Sequence, residues 1–594
     1  MQEITRRQAL AGGVSAATAL SLAGWQGRAA AGDDETSVTI TVMGTSDLHG
    51  NCLNWDYFKN AEYDDSAHND IGLAKISSIV QQIRADRGGH RTLLFDSGDT
   101  IQGTPLATYY GKIKPITETG EFHPMAKAMN AVNYDAVTLG NHEFNYGLPL
   151  LRKWIHQMHA PALAANAVGW TGDTPAYDPY VIKRMRVKNH GEPILVGVLG
   201  LTNPGIAIWD KGNVEGKLRF LDLVETAKKW VPVLKAKGCH VVVVTAHAGD
   251  DGFSSYGDAL PVENASALVA EQVPDIDAIL FGHSHKDVPQ RFVTNKATGE
   301  QVLLAEPSYW GRRLSVMDFT LERAGGTWAV TAKSAISINS NTVAEDPAIV
   351  ALIKPQHDTT VAYVNQVVAK SATELSAAES AWKDTPILDY IQKVQTETVK
   401  AALAGTQYAA LPILSIAAPF SRTAVFPAGD VSIRDIAGLY IYDNTLMASL
   451  ITGAQVKAYL EYSAKYFVQT APGAPVDTAK LTNAGGTPDY NYDQLAGVSY
   501  DIDVSRPVGS RIVNLTLAGA PVADDRQFVI AVNNYRQSGG GGFPHITAAP
   551  IVYNRQVEIR QALIDFATAA GTIDAATFAE VNWKLVREGV PVFG

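Results

Sequence analysis

An α/β fold is predicted for the larger part of this 594-residue chain, on three observations. From Ser37 to about Asn341, short apolar runs alternate with amphipathic segments of helical spacing. One run, Ile194 to Leu201, is apolar almost throughout, as a strand covered on both faces would be. Several runs then stop at polar residues able to hold a ligand, and ligands in open α/β folds gather outside the carboxyl ends of strands.

Taken in order, Val38 to Met43 alternates apolar and β-branched residues and reads as a strand. It runs into Ser46-Asp47-Leu48-His49-Gly50, a carboxylate and an imidazole two residues apart. That pair suits a divalent metal if other ligands converge on it. Gly72 to Arg84 has helical spacing, and Thr92 to Phe95 is a strand ending in Asp96-Ser97-Gly98-Asp99. A helix over His123 to Val132 precedes a strand over Ala136 to Leu139 and the turn Gly140-Asn141-His142-Glu143. Phe220 to Ala236 reads as a helix. Val241 to Thr245 leads into Ala246-His247-Ala248-Gly249, and Ala278 to Phe281 into Gly282-His283-Ser284-His285. Glu345 to Ser371, with helical spacing and few turn residues, reads as a connector. Beyond it, hairpin-like runs such as Ile512 to Leu517, turns around Pro472 to Pro475 and the glycines 539–542 predict a second, α+β domain. The expected boundaries are 1–31, 32–344, 345–371 and 372–594.

Length alone calls for at least two domains. A hydrophobic fraction of 46% with 18% charged residues describes a soluble globular chain. The net charge of −11 argues against polymeric nucleic acid as a partner. A small phosphorylated substrate stays open, because a bound metal dominates its local field. No apolar run after residue 32 is long enough to span a bilayer. Thr5-Arg6-Arg7-Gln8-Ala9-Leu10, a weakly hydrophobic Ala11 to Ala23 and the small residues Ala29 to Ala31 resemble a twin-arginine export signal. That predicts an exported protein, periplasmic, or else in the cell wall or medium. The two cysteines, Cys52 and Cys239, flank opposite ends of their strands and are expected to be free thiols.

Five strand ends therefore carry residues able to bind metal: Asp47 and His49, Asp99, Asn141 and His142, His247, and His283 with His285. In this order, Asp-x-His, Gly-Asp, Gly-Asn-His-Glu, His and Gly-His-x-His resemble the binuclear calcineurin-like metallophosphoesterases. Asn141 to Leu148, Asn54 to Lys59 and Ile101 to Leu106 narrow the resemblance to the 2′,3′-cyclic-nucleotide 2′-phosphodiesterase/3′-nucleotidase branch of the 5′-nucleotidase family. The resemblance covers nearly the whole chain after the leader. It implies a sandwich of two sheets flanked by helices, joined by the helical connector to a 5′-nucleotidase-type C-terminal domain.

It also implies two divalent cations, Mn, Zn, Fe or Co. Asp47, His49, Asp99 and His285 would hold one; Asp99, Asn141, His247 and His283 would hold the other. Such a pair lowers the pKa of a water and stabilises in-line displacement at phosphorus. His142, backed by Asn145, would serve the leaving oxygen. In 5′-nucleotidases the place of Asn145 looks like an aspartate; an amide stabilises an imidazolium less than a carboxylate does. In the second domain, Leu439 to Leu446 and Asn533 to Arg536 resemble nucleoside-binding elements. Tyr442 and Tyr535 would stack on the base, with Asn444, Arg536, Gly539 and Gly540 beside it. Arg422 and Arg434 are further candidate phosphate contacts. The implied activity opens 2′,3′-cyclic nucleotides to 3′-nucleotides and then releases phosphate, in a protein expected to be a monomer. The alternatives are a 5′-nucleotidase or UDP-sugar hydrolase, and a non-catalytic nucleotide-binding surface protein.

Overall fold

The structure, a computed structural model, describes residues 37–593 apart from 66, 187–191, 255, 257, 259 and 443. The expected export signal lies outside the described residues. They form two compact units, one closing at His357 and one running from Asp358, which also takes in Tyr57–Asn60.

The first unit has strands β1 (Ser37–Thr45), β2 (Thr92–Asp96), β3 (Ala136–Thr138), β4 (Ala162–Leu163), β5 (Tyr180–Met185), β6 (Ile194–Leu201), β7 (Val241–Ala246), β8 (Ala278–Phe281), β9 (Asp287–Thr294), β10 (Gln301–Pro307), β11 (Arg313–Ala324) and β12 (Thr327–Asn339). They form two six-stranded sheets, ordered β12-β11-β1-β2-β3-β4 and β9-β10-β8-β7-β6-β5. β1 to β4 are mutually parallel, as are β6, β7, β8 and β10; the hairpin β11–β12 lies antiparallel against β1. Alternate residues along the strands point to the inner face and meet the other sheet. Val38, Ile40 and Val42 share one core with Ile194, Val196, Val198, Val241, Val243 and Leu280.

The outer face of the second sheet, through Leu199, Leu201, Val242, Val244 and Phe281, packs on helices α4 (Leu223–Ala236) and α5 (Ser266–Gln272). Helices α1 (Leu73–Arg87), α2 (Pro124–Val132) and α3 (Leu148–Gln157) precede them in the chain. α4 begins at Leu223 rather than Phe220. Asp222 caps it through the Glu225 amide (2.9 Å), while Phe220 ends a short strand paired with Ala167–Gly169. Cys52 and Cys239 are buried free thiols.

The segment 345–371 is not helical throughout. α6 covers Pro347–Val364, and Val367–Ser371 is a strand, β13, as its paired β-branched valines favour. The second unit continues with α7 (Pro386–Leu403), β14 (Ile413–Ala417), β15 (Gly429–Ser432), α8 (Ile433–Leu439), β16 (Thr445–Thr452), α9 (Gly453–Ser463), β17 (Gln494–Ala496), β18 (Ser499–Asp503), β19 (Ile512–Leu517), β20 (Gln527–Asn533), β21 (Ile551–Glu558), α10 (Ile559–Ala570) and β22 (Trp583–Arg587). Its main sheet is ordered β17-β14-β20-β16-β21. Both faces of β20 are buried. Val529 and Ala531 meet α7, α8 and α10, while Phe528, Ile530 and Val532 meet α9 and the sheet containing β18 and β22.

At the start of α7, the Asp384 and Asp389 carboxyls hydrogen-bond each other, and Asp384 accepts the Asn582 amide (2.9 Å). Burial pushes both pKa values up, and mutual repulsion adds to the rise at Asp389. The folded state therefore holds a proton that the unfolded chain releases above about pH 4, so the pair costs stability as pH rises. Asp389→Asn is expected to raise Tm by about 2–4 °C at pH 8 and to change it little at pH 4. Equal shifts at both pH values in thermal melts would refute the shared proton.

Candidate active site

The ligand-type residues lie where the sheets' parallel strands end, and the backbone there is shaped to present them. Asp47, His49, Asp99, His283 and His285 all take positive φ, between 47° and 75°. That conformation is costly for residues with a Cβ and is kept where the surroundings over-determine it. Here those surroundings are a zipper between the first two loops. Asp47 N donates to Gly98 O, His49 N to Asp99 O and Gly50 N to Thr100 O, each at 2.8 Å. The buried Glu143 carboxylate accepts the amides of Asp99 (2.8 Å), Thr100 (2.5 Å), Ile101 (3.2 Å) and Gly140 (2.6 Å), tying the second loop to the third. Two glycines permit the close approach: a Cβ at Gly140 would meet the Asp99 carboxylate, and one at Gly282 would meet Ser46 and Asp47.

Each central carboxylate turns one oxygen towards the histidines. Asp99 Oδ1 accepts the His142 amide (2.8 Å), leaving Oδ2 facing His247 Nε2 (2.9 Å), His142 Nε2 (3.8 Å) and His49 Nε2 (3.9 Å). Asp47 Oδ2 accepts from Ser46 Oγ and shares the His283 amide with Oδ1 (3.1 and 3.3 Å), while Oδ1 also faces His285 Nε2 (3.3 Å), His49 Nε2 (3.8 Å) and His247 Nε2 (4.0 Å). Outer contacts set the ring orientations. His49 Nδ1 is bonded to Gln102 O (3.0 Å) and His247 Nδ1 to Ser97 O (2.9 Å), so both rings turn Nε2 inward. His283 Nε2 is taken by Glu263 (2.9 Å), which leaves Nδ1 for the cluster. Trp209 stacks on His283 and Tyr309 on His285.

Burial alone would push the Asp47 and Asp99 carboxyls up, but the histidines packed on them outweigh it and hold both below the ordinary carboxylate range. Burial pulls His247 down, and Asp99 and Asp47 reverse it, pushing His247 up to about 10. The cluster thus recruits positive charge. Asn141 Oδ1 is buried with no hydrogen-bond partner among the described residues, and three groups of ligand atoms lie within 4.8 Å of one another: Asp47–His49–His285, His49–Asp99–His142 and Asp99–His247–His283. Two carboxylates, imidazole nitrogens and an orphaned amide oxygen fit divalent cations.

His142 stands beside this cluster. Its Nδ1 lies 2.6 Å from Asn145 Oδ1, and Asn145 Nδ2 donates to Asp210 Oδ1 (2.9 Å) and Oδ2 (3.1 Å). Glu143, Glu263 and Asp210 escaped the sequence reading. Glu143 follows His142 in its motif and could have been singled out, whereas Asp210 and Glu263 are lone loop acids without a spacing signal.

In the second unit, Tyr442 is 36% exposed and forms an aromatic cluster with Phe420 (5.7 Å) and Tyr490 (6.0 Å). Tyr535 lies against Gly540, where a Cβ would strike its ring. The Asn444 amide approaches the Tyr440 hydroxyl (3.4 Å), and Gly539 takes a φ of 106°. Arg536 requires a correction. It is fully buried and all its donors are committed: to Asp493 (2.8 and 2.9 Å), Tyr490 O (2.9 Å), Asn491 (3.1 Å) and Gly540 O (2.6 Å). It braces the loops carrying Tyr490 and Gly540 and has no donor left for a ligand. Arg422 spends Nε and Nη2 on Asp489 (2.6 and 2.7 Å) and the Tyr466 hydroxyl (2.8 Å). Arg434 reaches Lys59 O at 3.4 Å.

Residues 40–287 match the calcineurin-like phosphoesterase family, and residues 363–548 match the 5′-nucleotidase C-terminal domain. The trifunctional nucleotide phosphoesterase protein YfkN of Bacillus subtilis (strain 168) is 36% identical over 92% of this chain, which spans 39% of that protein's length. The 2′,3′-cyclic-nucleotide 2′-phosphodiesterase/3′-nucleotidase of Haemophilus influenzae is 34% identical over 96% of this chain and 91% of its own. A crystal structure of a putative 5′-nucleotidase from Staphylococcus aureus superposes with a TM-score of 0.70 at 26% identity, covering 92% of this chain and all of that one. Fold, cluster and relatives define a metallophosphoesterase, a hydrolase. The chain belongs to the 5′-nucleotidase family of calcineurin-like metallophosphoesterases.

Proposed function

We propose that the protein is an exported enzyme that hydrolyses 2′,3′-cyclic nucleotides to 3′-nucleotides and then releases phosphate from the 3′-nucleotides. The observation that carries this reading is the cluster around Asp47 and Asp99 with His142 at its edge, backed by an amide at Asn145 (2.6 Å). The H. influenzae relative's name supports the branch.

Asp47, His49, Asp99 and His285 would hold one cation, and Asp99, Asn141, His247 and His283 the other. When bound, two divalent cations supply the charge that polarises the phosphate and makes a water nucleophilic. The chain's own residues do the rest. His142 holds a proton at Nε2 and passes it to the departing ribose oxygen. Its Nδ1 stays tied to Asn145, which keeps the ring aimed.

The cation must displace the proton that His247 carries in the metal-free site, where its pKa is about 10. Apparent Mn2+ affinity is therefore expected to rise about tenfold per pH unit between pH 6 and 8, with about one proton released per cation at that position. Calorimetry in buffers of different ionisation heat measures this, and binding without proton release would contradict it.

Tyr442 and Tyr535 stack on the base, with Tyr490 extending the aromatic surface and Asn444 beside it. Tyr442→Ala is expected to raise KM for 3′-AMP about tenfold, from the ~1–3 kcal/mol of base stacking, and to leave p-nitrophenyl phosphate turnover unchanged. Parallel loss on both substrates would refute a base-binding role. The 5′-nucleotidase reading is tested by comparing kcat/KM for 3′-AMP and 5′-AMP. Preference for the 5′ ester would overturn the branch and keep the metal cluster. Export is tested by fractionating cells that make the full chain, with and without Arg6→Lys/Arg7→Lys.

A further inference from the structure

We propose that Asp210 is a positioning residue that holds His142 in its proton-donating tautomer, acting through the side chain of Asn145. This rests on the reading of His142 as the proton donor. Asp210 is buried between two short helical turns, Ile206–Trp209 and Lys211–Val214, well away in sequence from the motif it serves.

Hydrogen-bond polarity fixes the tautomer. Burial pushes the Asp210 pKa up to about 6, so at pH 7 and above it is an ionised carboxylate that only accepts, and the end of Asn145 facing it at 2.9 and 3.1 Å is the NH2 group. The end facing His142 Nδ1 at 2.6 Å is then the carbonyl oxygen, which also only accepts. Nδ1 must therefore carry the hydrogen, and Nε2 becomes the nitrogen that takes up and releases the mobile proton. An asparagine alone does not impose this, because its amide fits equally well turned by 180°. Turned, it would donate to Nδ1, and the ring could no longer hold a second proton for the leaving oxygen. Asp210 removes that choice.

A second contact pins the same residue from its backbone. Asn213, one turn after Asp210, donates its Nδ2 to the carbonyls of Phe144 (3.0 Å) and Asn145 (3.1 Å). Asp210 and Asn213 together fix both the place of Asn145 and the direction of its amide. A carboxylate at position 145 would meet the imidazole directly. In this chain the charge sits one residue further out and the amide relays its polarity.

The test uses Mn2+-loaded full chain and four variants: Asp210→Leu, Asp210→Asn, the exchange Asn145→Asp/Asp210→Asn, and His142→Gln. Asp210→Leu is expected to lower kcat for 3′-AMP about 10- to 100-fold with KM within about threefold, less than the roughly 10²- to 10⁴-fold of the general acid itself because Asp210 acts through another residue. p-Nitrophenyl phosphate, whose leaving group departs without a proton, should lose less than about threefold. Asp210→Asn, whose carbonyl can still accept from Asn145, should lose less than Asp210→Leu, and the exchange should recover most of the 3′-AMP rate. By 15N NMR, the His142 Nδ1–H tautomer should dominate in the parent and the exchange variant and be lost in Asp210→Leu.

Equal losses on both substrates, or an exchange variant no better than Asp210→Leu, would reduce Asp210 to a packing residue and overturn the proposal. If Asp210→Leu does not fold, Asp210→Asn and the exchange carry the same comparison. A fully active His142→Gln would instead sink the proton-donor reading itself. An impaired His142→Gln beside an unchanged tautomer in Asp210→Leu would sink only the role of Asp210.

Discussion

Asp99→Asn is expected to lower phosphate release from 3′-AMP by at least about 10³-fold, the several kcal/mol that metal-ion catalysis supplies. Asp99 is the point on which the proposed ligand set closes. Its Oδ1 accepts the His142 amide at 2.8 Å, and its Oδ2 faces His247 at 2.9 Å and His49 at 3.9 Å. An asparagine can keep the first contact, but it then presents an NH2 group where the shared ligand oxygen should be. It also removes the charge that most strongly raises the His247 pKa. Metal analysis of the purified variant should show the cation content falling from two towards one or none per chain. Near-parental turnover with two cations bound would contradict Asp99 as the shared ligand.

His142→Gln is expected to lower kcat for 3′-AMP about 10²- to 10⁴-fold, the usual contribution of a positioned general acid. Metal content should stay at the parental level, because Nδ1 is committed to Asn145 and His142 has no place in the proposed ligand set. KM should change little, and p-nitrophenyl phosphate should suffer much less. A loss of metal in proportion to the loss of rate would contradict the assignment and make His142 a ligand.

The motifs that make up the candidate metal cluster were legible in the sequence because each is contiguous and follows a recognisable apolar run. Asp47 and His49 after β1, or His283 and His285 after β8, needed only local periodicity to be placed. Their division between two sheets was not legible. Parallel strands bury both faces, so β2 and β7 carry the same apolar signature whichever sheet they join. The far end of the connector departs from the helical expectation, because the β-branched Val367 and Val368 outweigh the helical spacing and make β13. Arg536 shows the limit of reading function from a motif. It adjoins Tyr535 in sequence, but Asp493, brought close only by the fold, takes its guanidinium into the interior. Asp210 and Glu263 were invisible for a related reason: a single loop acid carries no periodic signal, and only tertiary contact pairs it with Asn145 or His283.

Following 2′,3′-cyclic AMP by 31P NMR with the Mn2+-loaded protein, beside a chelated control and a parallel 5′-AMP sample, tests the proposed activity most directly. The cyclic ester should give way to 3′-AMP and then to inorganic phosphate, with no reaction after chelation and 5′-AMP consumed far more slowly. Accumulation of 2′-AMP, faster loss of 5′-AMP, or turnover that survives chelation would contradict it.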